Sequence, residues 1–150
     1  MRDWLLVVVA AGFLLVGYLA QRLDWFEADD PAIVVESDCD LRQQACELKL
    51  DNHDLRFSIE PRNFQALTPV TLQVRGGDVS LQRVSVEFEG LNMDMGYNLV
   101  RLESMADGGF QAIAMLPVCS LERMQWLVHL RVETAGKATD FQFRVDTWRG

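Results

Sequence analysis

Histidine, cysteine and positive charge are all scarce in this sequence, and each scarcity removes a class of function. The two histidines, His53 and His129, have no partner at zinc or type-2 copper spacing. His53 falls in a turn and His129 on the polar face of a strand, so each reads as a solvated or hydrogen-bonded side chain. No Ser-His-Asp order stands out, and without a nucleophile–base pair the chain is read as not an enzyme. There are three cysteines but no CxxC spacing, which argues against thioredoxin-like exchange. No glycine-rich phosphate loop leads from a strand into a helix. Internal repeats and low-complexity tracts are absent. Lys and Arg total 14 against 22 Asp and Glu, a net charge of −8. Beyond residue 23 the counts are 12 and 21, a net charge of −9. So acidic a body excludes nucleic acid as a natural partner, because phosphate binding needs clustered Lys and Arg. It also argues against docking on an anionic membrane surface.

What is present is first a long apolar run. Positions 4–20 read WLLVVVAAGFLLVGYLA and carry no charge. As a helix these 17 residues span roughly 25 Å, near the lower limit for crossing a bilayer. A cleaved signal peptide needs small residues at −3 and −1 of the cut. Cutting after Ala20 puts Tyr18 at −3, and cutting after Gly17 puts Leu15 there. The run is therefore read as an uncleaved signal anchor over 1–22, with Trp4 and Tyr18 at the two interfaces. Arg2 and the free amine precede it, and acids dominate after Arg22, which points the N-terminus inward and the body outward. The body would then sit in a periplasm or outside the cell. Residues 23–38 read as a linker and 39–150 as the extracytoplasmic domain, large enough for one core.

Within that domain the hydrophobic pattern changes to period two. Val84, Val86 and Phe88 alternate with Ser85 and Glu87. Trp126, Val128, Leu130 and Val132 alternate with Leu127, His129 and Arg131, and Phe141, Phe143 and Val145 with Gln142 and Arg144. Alternation of β-branched and aromatic residues is the signal of half-buried strands. Further strands are predicted at 47–50, 55–60, 70–75, 97–103 and 110–116. Turn residues punctuate them at 51–52, 76–78, 107–109 and 135–136. Eight short strands with no convincing amphipathic helix predict an all-β, immunoglobulin-like antiparallel β-sandwich behind one N-terminal transmembrane helix. Strand direction reverses at each step, so alternate loops gather at opposite ends. One end then collects the segments 39–46, 61–69, 89–96 and 117–124. The other collects 51–54, 76–78, 104–109 and 135–137.

The candidate chemistry is sulfur at the first of these ends. Met93-Asp94-Met95 is an MxM pair bracketed by Gly90 and Gly96. Soft thioether and thiolate ligands select Cu(I). Met93, Met95 and Cys119, joined by Met124, form a candidate Cu(I) ligand set. The competing reading is that the methionines are adaptable core fillers. Cys39 and Cys46 enclose six residues and form the favoured disulfide, leaving Cys119 as an odd thiol. The alternative is that Cys119 staples to Cys39 or Cys46, which removes it as a ligand.

FEGLNMDMGYN at 88–98, Gly109-Phe110, LPVC at 116–119 and MQW at 124–126 together carry a resemblance. Over roughly 79–145 the chain resembles the FixH-like and YtkA-like proteins, small periplasmic membrane-anchored domains associated with copper. It also looks like a set of uncharacterised proteobacterial membrane-anchored proteins. The resemblance implies a single-pass protein of the bacterial inner membrane with its C-terminal domain in the periplasm, an accessory protein that binds Cu(I) through Met and Cys loops and aids maturation of a respiratory cytochrome oxidase. It departs from the copper pattern in lacking a histidine near the MxM and in having Cys119. The alternative is a metal-free interaction or assembly module of an inner-membrane complex, its acidic rim steering a basic partner.

Overall fold

The computed structural model describes residues 32–76, 79–118 and 120–148, together with Gly12, Phe13 and Leu15. The chain divides into two units, Met1–Asp30 and Pro31–Gly150, and the fold is that of the second. The expected membrane anchor lies outside the described residues but for Gly12, Phe13 and Leu15. Among the described residues no helix is long and apolar enough to cross a membrane.

Period-two sequence makes strands, and there are ten among the described residues. They are β1 (Ile33–Ser37), β2 (Cys46–Leu50), β3 (His53–Glu60), β4 (Pro69–Gly76) and β5 (Arg83–Gly90) in the first half. The second half supplies β6 (Leu99–Arg101), β7 (Glu103–Ser104), β8 (Phe110–Met115), β9 (Arg123–Thr134) and β10 (Lys137–Trp148). They form two five-stranded sheets, β1-β10-β9-β5-β6 and β2-β3-β4-β8-β7. All neighbours are antiparallel except β1 and β10, which run parallel. The fold is all-β and sandwich-like, with the apolar residues of both sheets turned to one shared core.

The alternation in sequence is the alternation in burial. Val84, Val86 and Phe88 of β5 and Met124, Trp126, Val128, Leu130 and Val132 of β9 are buried. So are Phe141, Phe143 and Val145 of β10. From the other sheet come Leu48, Leu55, Phe57, Ile59, Val70, Leu72 and Val74. Phe57 meets Phe143 across the sheets, with ring centroids 5.6 Å apart and planes tilted by 44°. Trp126 buries its ring and donates Nε1–H to Thr147 Oγ1 at 2.9 Å, so its polar atom has a partner inside.

Two expectations are corrected. Residues 23–38 were expected to be linker, but Ile33–Ser37 form β1, paired to β10 from Ile33↔Thr139 to Ser37↔Phe143. Its side chains are largely exposed, so burial leaves no alternation in the sequence, and the backbone ladder holds it. The strand expected over 97–103 is two strands. β6 pairs with β5, and β7 pairs with β8 in the other sheet. Leu102 between them is buried and donates its N–H to Val84 O at 2.9 Å. An unbroken alternation does not reveal a change of sheet.

The ends of the sandwich are grouped as strand parity predicts. At one end Arg62 donates to Gln43 O at 2.8 Å. Arg42 places its guanidinium 5.6 Å from the Phe64 ring centre and 5.0 Å from that of Trp148, and donates to Asp146 O. Arg123 lies 5.8 Å from the same Trp148 ring and 2.5 Å from Asp146 Oδ2. At the opposite end Lys137 pairs with Asp51, and Arg75 with Asp107 at 2.7 Å.

Candidate methionine site

The loop between β5 and β6 carries the MxM pair, and its polar residues each have a structural task. Asn92 extends the β5–β9 ladder with its side chain. Its Nδ2 donates to Arg123 O at 3.0 Å, and its Oδ1 accepts from Gln125 N at 3.0 Å. Leu91 N donates to Gln125 O at 2.8 Å beside it. Asp94 Oδ1 accepts from Gly96 N at 2.8 Å, an Asx turn that Gly96 completes at φ 68°. Asn98 Nδ2 donates to Met95 O at 3.0 Å and returns the chain to β5, where Phe88 N donates to Asn98 O at 3.0 Å. The residues at 89–96 line an open cleft of about 440 Å³.

Gly90 shows what the loop encloses. A Cβ added there would lie 2.2 Å from Met93 O, 2.6 Å from Met124 Cε and 3.1 Å from Met95 Cγ. Two thioether side chains therefore converge on one point above Gly90, each sulfur one bond from the atom that reaches it. Met95 is partly buried against the core, and Met93 is exposed. Met124, expected in the loop before β9, sits within β9 and is buried. It belongs to the inward row of Trp126 and Val128, and its tip reaches the loop from the core side. Cys119 lies outside the described residues. Cys39 and Cys46 are bridged, S–S 2.00 Å with Cα atoms 5.9 Å apart, and Cys46 is fully buried. Among the described residues no three His, Cys, Asp or Glu side chains group as metal ligands. The side chains that reach Gly90 are thioethers, soft donors, and they meet there beside the Met93 carbonyl oxygen.

A second cluster escaped the sequence. His129 on the outer face of β9 bridges two carboxylates. Nδ1 lies 2.9 Å from Asp140 Oδ2 and Nε2 lies 3.0 Å from Glu89 Oε2. Gln142 Nε2 donates to the same Asp140 oxygen at 3.1 Å. Burial disfavours the imidazolium, but hydrogen bonds and charge from Asp140 and Glu89 outweigh it and raise the His129 pKa above its ordinary value of 6.5. The three residues stand on three strands, β5, β9 and β10, so only pairing register reveals them. Glu89 also lines the methionine cleft.

No protein-family model, curated protein or solved structure matches this chain.

Proposed function

We propose that this chain is a membrane-anchored periplasmic carrier that binds Cu(I) through methionine thioethers and aids maturation of a respiratory oxidase in the bacterial inner membrane. The observation that carries the reading is the convergence of Met95 and Met124 on Gly90. Cu(I) is satisfied by a few soft sulfur ligands, and Met93 of the same loop, with Cys119 later in the sequence, offers the further donors. The net charge of −8 favours approach of a cation. The apolar run at 4–20 and the Cys39–Cys46 bridge both suit an anchored domain in an oxidising compartment. The connectivity suits an immunoglobulin-like assignment, with β3, β4, β8 and β7 as the ABED sheet and β5, β9 and β10 as CFG.

The test is an anaerobic titration of the full chain in detergent with Cu(I), against a chromophoric chelator. The expected result is a one-to-one complex that competes with the chelator. Met95→Leu and Met124→Leu should each weaken it tenfold or more. Leu conserves the volume of Met, so stability should fall by less than about 1.5 kcal/mol. Cys119→Ser measures the thiol's share. A chain that never competes overturns the copper reading. The metal-free assembly module then stands, and capture of its inner-membrane partner becomes the measurement.

A further inference from the structure

His129 stands between two carboxylates whose surroundings differ. The Asp140 side chain, at Nδ1, is 14% exposed, and its Oδ1 is shut from water with no hydrogen-bond partner among the described residues. The Glu89 side chain, at Nε2, is 55% exposed. Pairing register places the other charges of this outer face. Glu87 on β5 lies opposite His129, and Arg131 on β9 lies opposite Asp140. Arg131 pairs with Glu133 at 3.3 Å. Arg144 is next after Gln142 on the same side of β10, Glu36 on β1 lies opposite Gln142, and Arg101 on β6 lies opposite Ser85. Glu89 and Asp140 are the carboxylates that reach the ring nitrogens.

The proton count of the ring separates the two. Imidazolium has two N–H donors and holds both carboxylates, whereas neutral imidazole has one. On deprotonation one carboxylate loses its donor. Stripping Asp140 would leave a buried carboxylate short of hydrogen bonds, which costs more than returning an exposed one to water. The neutral ring therefore keeps its proton on Nδ1, toward Asp140. The proton lost is the one on Nε2, and it goes to water. Glu89 immediately precedes Gly90 and lines the methionine cleft. The group let go is thus the one beside the cleft.

We propose that His129 is the positioning residue of Glu89: the protonated ring latches the Glu89 carboxylate to the sheet, and the neutral ring frees it beside the methionine cleft. Burial opposes the charge on the ring, yet Asp140 and Glu89 raise its pKa above 6.5, so the latch opens as pH rises beyond that value. A freed carboxylate attracts a cation in the cleft. Thioethers carry no proton to lose, so the latch gives the site a pH response that its methionines lack. That consequence rests on the copper reading of the cleft; the latch itself does not.

The latch is read by nuclear magnetic resonance of the full chain in detergent, with histidine nitrogens and glutamate carboxyl carbons labelled. His129→Gln and Glu89→Gln assign the signals, His53 being the other histidine. The expected result is a neutral ring protonated on Nδ1 and a Glu89 carboxyl resonance that shifts with the midpoint of the ring. A neutral ring protonated on Nε2, or a Glu89 carboxyl that does not follow the ring, overturns the proposal. Cu(I) competition then reads the cleft, in the Cys119→Ser chain so that no thiol titrates. Corrected for the chelator's own titration, affinity should rise roughly threefold as the ring deprotonates, and Glu89→Gln should remove most of the rise. A rise undiminished by Glu89→Gln belongs to the charge of the ring and overturns the role of Glu89 at the cleft, as does binding indifferent to pH. A chain that binds no Cu(I) at any pH overturns the copper reading alone, and the latch stands or falls on the resonances.

Discussion

His129 is held between Asp140 and Glu89, and its proton is bound more tightly in the folded chain than in the unfolded one. The stabilisation is therefore fully present below pH 6.5 and is lost as pH rises through the folded-state pKa. Urea midpoints of the wild type should fall between about pH 6 and about pH 8 relative to those of His129→Gln. Parallel curves for the two proteins would show that the carboxylates do not hold the imidazolium. Gly90 allows a second single-residue test. Gly90→Ala sets a methyl against Met93 O and Met124 Cε. The expected cost is about 1–3 kcal/mol in urea unfolding, with weaker Cu(I) binding as the two thioethers are displaced. Unchanged stability would mean that the loop yields freely and encloses nothing fixed. Neither residue was legible for its role. A glycine at a strand end reads as a turn, and the partners of His129 lie 40 residues before and 11 after it.

At the scale of elements, legibility follows burial. β5, β9 and β10 were plain because their inward rows are fully buried and their outward rows polar. β1 was hidden because both its faces meet solvent. The passage from β6 to β7 was hidden because alternation survives a change of sheet. The methionine loop was legible as a loop from its glycines, and the inward placing of Met124 was legible too, since Arg123-Met124-Gln125 continues the alternation of Trp126 and Val128, but its sulfur drew it to the loop instead. The segment between β1 and β2 is closed by the Cys39–Cys46 bridge and capped by Arg42 against Phe64 and Trp148. Closing so short a loop removes about 2–3 kcal/mol of unfolded-state entropy. The double variant Cys39→Ala, Cys46→Ala should lose that much in denaturant melts, and wild type in reductant should match it. A loss below about 0.5 kcal/mol would assign the segment's order to the arginine stack alone.

For the whole molecule, one end gathers the sulfur-bearing loop and the disulfide segment. The parallel register of β1 on β10 has a mechanical consequence. The chain enters at the start of β1 and leaves from the far end of β10. A stretching force applied between the termini pulls these two strands past each other along their length. The ladder from Ile33↔Thr139 to Ser37↔Phe143 is then loaded in shear, all of its bonds sharing the tension at once. An antiparallel first strand would peel away bond by bond. Against a pull between its two ends the domain is thus clamped at its first strand.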